Sequence, residues 1–501
     1  MFDISAFVDD EIDFQFSKFA VYETLRMVFP ENIQRIYARN QVAAPSFPVI
    51  DRLAPFRTKF HPFLMDIDES TLAGNIDVLE EISSRQYRWD ETHNFAERLH
   101  LFYGDQRTVS RLRLAKLVRC ESRAVYDRFG WVLPVPGLFH LKMQWLKMIH
   151  ELHYMAKHYD SPSSLAFFRE ILDQNRVQTD NADFFALEEL VLHCFHGKIL
   201  TAVFDKLRNT YTWLNLLKVG KPEEWEKLFE ELGLEDLESC INNVVQDTLH
   251  GELDPDEMHP EFLNNIHFLR LARGSLMLKM GVRYGDLGWV RRAIGHSILF
   301  FTGWGRSFAC EMLDFWRLIS TDAADPVLQR AILANSLVNC RGKNDTFFET
   351  DRLIAIVNGK LKRVLLNKRH DSSISIEELQ HIIHSFTASE DLRTSLAETF
   401  NLQTDAPSPA ESVSRNIRLV ADYVYSTMIE DCPLPEDLPR VRVLASEAIE
   451  HLPETIERVN QGEFENEDEY GNMTESDEDE IDRFFGSAVE DDIESAVEGL
   501  L

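Results

Sequence analysis

The sequence predicts a mainly helical protein built around a small α/β core. Three observations predict it. Leu99-His100-Leu101-Phe102-Tyr103-Gly104-Asp105-Gln106 reads as a short apolar strand that ends on a carboxylate and turns at once into a helix. A second strand, Trp131 to Pro136, follows one helix later, and Gly137-Leu138-Phe139-His140-Leu141-Lys142 opens another helix. Beyond about residue 160 strand signals nearly vanish, and Leu, Phe, Ile and Trp recur at helical spacing.

Residues 1–60 are poorly patterned and are expected as an irregular N-terminal segment. Within them Phe14, Phe19, Tyr22, Leu25, Met27 and Phe29 allow one amphipathic helix, which Pro30 stops. Pro45, Pro48 and Pro55 punctuate a loop. The α/β core spans 61–160: Phe63 to Ser70 extended, Asn75 to Ile82 helical, the strand at 99–104, a basic amphipathic helix from Arg107 to Val118, the second strand, and a helix to about Lys157. A helical insertion covers 161–282, with helices at 163–176, 182–218, 223–250 and 261–282. Residues 283–460 continue as helices at Trp289–Phe301, Phe308–Ile319, Asp351–Asn367, 376–386, 412–429 and 441–459, with a helix end and loop at 335–343. Breaks fall at Gly285-Asp286-Leu287-Gly288 and at Gly303-Trp304-Gly305.

The formal net charge is −32. Residues 463–501 hold 16 acidic residues and one basic, a net of −15, which leaves −17 on the rest. Residues 461–501 are therefore expected as a disordered acidic tail, too poor in apolar surface to fold alone. An acidic body repels phosphate backbones and argues against a free-standing, non-specific nucleic-acid binder. The six cysteines lie apart with no Cys-x-x-Cys pair, which excludes a zinc ribbon and points to a reducing compartment. The N-terminus lacks the basic and apolar regions of a signal peptide, and no apolar run approaches the ~20 residues of a membrane span. The expected location is intracellular, nuclear or cytoplasmic, with no membrane partner.

Asp105 has two readings. A carboxylate at a strand end suits a divalent metal in phosphodiester chemistry; an Asp directly before a helix is also an ordinary N-cap. Glu311 sits in the apolar helix Phe308-Ala309-Cys310-Glu311-Met312-Leu313. There it needs a metal, a proton or an ion-pair partner such as Arg306 or Arg317. Arg107, Arg111 and Arg113, with Lys116 and Arg119, form a basic face on the helix after Asp105, placed to meet a phosphate backbone or local acids such as Glu121 and Asp127. His150/His153 and His193/His196 pair at helical spacing without the further ligands zinc needs. Phosphate-binding glycine loops, kinase motifs, a nucleophile elbow and a calcium-binding loop are absent.

Several of these segments together resemble one family. Gly104-Asp105-Gln106-x-Thr108-x-x-Arg111-Leu112-Arg113, Pro136-Gly137-Leu138-Phe139-His140-Leu141-Lys142-Met143, Arg283-Tyr284-Gly285-Asp286-Leu287-Gly288 with the Glu311 helix, and Asn335-x-x-Val338-Asn339-x-x-Gly342 with Glu349-x-Asp351 look like its four motifs, in order, over roughly residues 60–385. It is a fungal family of unknown function, numbered six-five-eight-nine, similar to transposon-derived transposases with a ribonuclease H-like core split by a helical insertion. That resemblance implies Asp105 as second acid and Glu311 as third, both as catalytic residues and ligands of magnesium. The family's upstream Asp-Asn strand, source of the first acid, has no counterpart here; Asp13, Asp66 and Asp68 are poor substitutes. The expectation is a degenerate, inactive nuclease or transposase core. Any activity left would be magnesium-dependent DNA cleavage or strand transfer. The alternative is a non-enzymatic helical interaction protein whose acidic tail binds basic proteins such as histones.

Overall fold

A computed structural model of the chain describes residues 9–59, 65–86, 97–179, 182–210, 222–251, 260–304, 308–320, 324–367, 409–429 and 444–461. These residues form sixteen α-helices and two two-stranded sheets. The fold is mainly helical with a small sheet, as the residue pattern predicts. The described strands do not make up a ribonuclease H-like sheet. The helix expected at 376–386 and the acidic tail lie outside the described residues.

The α/β unit forms where the sequence places it. Strand β1 (His100–Gly104) runs parallel to β2 (Val132–Pro136), with His100 opposite Val132 and Gly104 opposite Pro136. Between them α4 (Gln106–Val118) crosses over, and α5 (Leu138–His153) follows β2. The helix α3 (Leu72–Glu81) packs against α4. Leu79, Leu112, Ala115, Phe129, Trp131 and Val132 close a small core of their own there.

The N-terminal segment departs from the expectation of irregularity. It holds α1 (Asp10–Val28) and α2 (Pro30–Arg39). Phe29, with φ −131° and ψ 57°, breaks the first helix, and Pro30 then begins the second rather than ending the pattern. Proline suits a first helical position, because its missing N–H has no intrahelical acceptor there. Phe16, Ala20 and Val21 of α1 are fully buried in the main core. A further helix, α13 (Pro326–Asn335), precedes Leu337–Val338 (β3), which pairs antiparallel with Phe348–Glu349 (β4).

The helical block comprises α6 (Leu165–Ile171), α7 (Phe184–Thr210), α8 (Pro222–Glu231), α9 (Leu234–Val244) and α10 (Pro260–Tyr284). A π-helical turn, Val245–His250, extends α9. Then come α11 (Leu287–Trp304), α12 (Phe308–Ser320), α14 (Thr350–Asn367), α15 (Pro409–Ile429) and α16 (Leu444–Gln461). α15 lies along α7, while α16 lies along α11 and α12. Asp325 caps α13 by accepting from the Val327 N–H. No helix among the described residues is long and apolar enough to cross a membrane.

The main core buries histidines as neutral rings. His153 on α5 faces His267 and Phe268 on α10, its ring centroid 5.4 Å from each, with Lys198 and Asn264 beside it. Burial, then the charges of His267 and Lys198, holds His153 well below its ordinary value. Burial, then Arg270, pushes His267 down to about 4. His196, 2.8 Å from Thr24 Oγ1, is pushed down to about 3 by burial, then by His193 and Lys279. Each ring is neutral in the fold yet binds a proton near pH 6.5 once unfolded. Their contribution is therefore complete above about pH 6.5 and is lost as pH falls toward 4. Each such histidine steepens the loss by about 1.4 kcal/mol per pH unit within its window. A denaturant series followed by circular dichroism should show stability falling from about pH 6.5 toward 4; a flat profile there contradicts the buried neutral rings.

Candidate functional site

The carboxyl edge of the β1–β2 pair gathers residues from three segments. β1 ends at Gly104, and Asp105 follows as the N-cap of α4, accepting from the Thr108 N–H at 2.7 Å. The Gly137 N–H donates to the Gly104 carbonyl at 2.8 Å, so both strands deliver their helices to one place. Carboxyl edges of parallel strands are where α/β proteins hold ligands.

Gly137 precedes α5 and has no side chain to cap it. Asp351, at the start of α14, supplies the cap from a distance. Its carboxylate accepts from the Phe139 and His140 N–H groups, both at 3.1 Å, and lies 2.9 Å from His140 Nδ1. A side chain on residue 137 would place its Cβ 2.1 Å from Asp351 Oδ2, so only glycine fits. Burial pulls the His140 pKa down, but the hydrogen bond and charge of Asp351 and then the charge of Asp105 outweigh it, and the net shift is upward. Asp105, His140 and Asp351 thus form one electrostatic group with an oriented, partly exposed imidazole.

One turn along α5, Lys142 is 3 % exposed and bonded to Glu349 at 3.0 Å. It also lies 3.5 Å from Glu188, which Lys279 holds at 3.0 Å. Burial opposes ionisation of Glu188, but Lys142 and Lys279 prevail and bring it to about 2. These charges lock α5, β4, α7 and α10 together behind the edge.

Glu311 is placed differently. Its side chain is 5 % exposed on α12, which packs against β2. Arg113 of α4 donates to Glu311 Oε1 at 2.7 Å and to Asp314 Oδ2 at 2.8 Å. Its partner is Arg113, not the expected Arg317; Arg306, the other expected partner, lies outside the described residues. Burial raises the Glu311 pKa against the pull of Arg113. Arg111 donates to the Glu69 carbonyl at 3.0 Å, and Arg107 is half-buried on the first turn of α4.

The remaining candidates have structural work. Asp286 accepts from the N–H groups of Ile50, Asp51, Gly288 and Trp289, pinning the N-terminal loop beside Gly285, whose φ is +65°. Asn339 accepts from the Gly342 N–H at 2.7 Å and holds a turn. Asp13 is paired in the core with Arg292 at 2.8 Å and His296 at 2.9 Å. Asp68 accepts from the Ser70 N–H in an exposed turn. His153 faces His267, and His196 meets Thr24, so neither histidine pair assembles a ligand set.

One oxygen of each expected magnesium ligand is already engaged, while Glu311 Oε2 is buried with no hydrogen-bond partner among the described residues. Asp105 Oδ1 is engaged by a backbone N–H and Glu311 Oε1 by a guanidinium. Among the described residues no three or more histidine, cysteine or carboxylate side chains are grouped to hold a metal.

A protein-family model described as a family of unknown function (DUF6589) matches residues 5–406. The chain belongs to this family. The match reaches well upstream of the four motifs, into the N-terminal helices. No curated relative and no solved structure matches. The residues of the four segments that carry the resemblance divide in three dimensions: Asp105, His140 and Asp351 meet at the sheet edge, whereas Asp286 and Asn339 hold loops. His140 and Asp351 stand out in the sequence only through motif membership, since a carboxylate that caps a distant helix leaves no local mark.

Replacing Arg113 with Ala leaves Glu311 buried beside Asp314 without its cation. The expected loss is about 2–4 kcal/mol in urea unfolding. An Arg113→Met/Glu311→Leu double variant, which removes both charges, should recover most of it. A single-variant loss under about 1 kcal/mol shows that the pair does not hold α4 to α12.

Proposed function

We propose that the chain derives from a metal-dependent phosphodiester-cleaving enzyme of the fungal, transposon-derived, ribonuclease H-like type and no longer cleaves. The observation that carries this reading is the ion pair at Glu311. The helix that would bring the third acid to the centre packs against β2, next to the strand that delivers Asp105. That acid is clamped by Arg113, a cation of the protein itself. The helical block at 161–282 then corresponds to an insertion within the ancestral core. Asp105 keeps its place at the strand end and serves as a helix cap.

Purified full-length chain with magnesium or manganese should leave single- and double-stranded DNA uncut, and Asp105→Asn should change nothing. Metal-dependent cleavage that disappears in Asp105→Asn overturns the degenerate reading.

A second reading is an interaction protein, present in the nucleus or cytoplasm, and one observation favours it. Leu117 and Val118 at the end of α4, and Val125 in the segment that leads to β2, are exposed, apolar side chains of the kind that mark a docking surface.

A further inference from the structure

Resting on the interaction reading, the apolar face of α4 has an occupant written into the chain itself. α4 starts from Asp105 at the carboxyl edge of the β1–β2 pair and packs back along both strands, so its last turn reaches the amino edge. There Leu117 and Val118 are 67 % and 61 % exposed, and Val125 and Leu99 are exposed as well. Arg98, Arg123 and Arg128 are exposed on the same end and form no ion pair among the described residues. Residues 98–128 hold eight basic and three acidic residues in a chain of net charge −32. Unpaired arginines rimming an apolar face are unusual in so acidic a protein, where carboxylates are abundant. The face fits a segment that is acidic and aromatic at once.

The chain carries such a segment in Asp477-Glu478-Asp479-Glu480-Ile481-Asp482-Arg483-Phe484-Phe485. We propose that residues 477–485 dock in cis on the Leu117/Val118/Val125 face, their carboxylates against Arg98, Arg123 and Arg128 and their apolar side chains against the helix end. The protein thereby occupies its own basic surface and withholds it from other polyanions. Reach allows this. Fifteen residues separate Gln461, the end of α16, from Asp477. At ~3.3 Å each they extend about 50 Å, against a radius of gyration of about 23 Å for a chain of this length.

The test uses full-length chain at low concentration with a benzophenone amino acid in place of Val118. Irradiation followed by peptide mapping should give an intramolecular link to residues 477–485. Its yield should fall about tenfold in 0.5 M salt, which shortens screening to a few ångströms, and to a similar extent in Arg123→Glu/Arg128→Glu, whose exposed positions leave the fold unchanged by circular dichroism. A link to a second copy or to another segment overturns cis docking and leaves the interaction reading standing. Absence of any link, with residues 117–125 exchanging amide hydrogens at the same rate in wild type and charge-reversal variant, overturns both.

Discussion

The Asp351 carboxylate is the contact on which the carboxyl edge of the small sheet depends. α5 begins with no side-chain cap of its own, and its first N–H groups point at Asp351 instead. Charge-assisted bonds of this kind are worth roughly 1.5–3 kcal/mol each, and the positive end of the helix adds to them. The same carboxylate orients His140 and makes glycine compulsory at residue 137. It also ties α14 to the sheet across a sequence separation of 211 positions, so the edge is completed only when the helical body has folded around it.

That one constraint links the motifs to each other physically. Pro136 to Met143 and Glu349-x-Asp351 look unrelated along the chain. In the fold, Asp351 caps the helix that the first motif begins, and Glu349 takes Lys142 two residues beyond His140. A buried lysine between two glutamates is expensive to assemble and tolerates little change, which rigidifies the floor under His140. The site is a fixed scaffold with the partly exposed His140 ring and Asp105 carboxylate at its edge.

Much of the α/β unit is legible in the sequence, because a compact apolar run closed by Gly104-Asp105 is a local signal for strand, turn and helix. The N-terminal helices are less legible. Pro30 marks both the end of one helix and the first position of the next, and only Phe29's break distinguishes them. Of the site, Asp105 is readable as a cap because its donor partner, the Thr108 N–H, is three residues away. Glu311 is readable as a carboxylate in need of a partner, but not which one, since Arg113 lies 198 positions off. Arg113 misleads for the same reason: on a helical wheel it belongs to a basic face, and only packing turns it inward.

The pairing of Arg113 with Glu311 bears on what the proposed ancestral site could still do. A guanidinium and a divalent ion both neutralise a buried carboxylate, yet they are not equivalent. Arginine carries a single charge on a tether, stays protonated, and offers planar donors that the two carboxylates here already use. It has no exchangeable coordination position, so it cannot bring a water molecule toward the hydroxide form. Reversal would require exposing Glu311 and Asp314 together with no cation between them, which the low-dielectric contact between α4 and α12 opposes. Under the proposed ancestry, a fixed cation standing where a mobile one stood preserves the packing of the core while removing the feature on which metal-assisted cleavage depends.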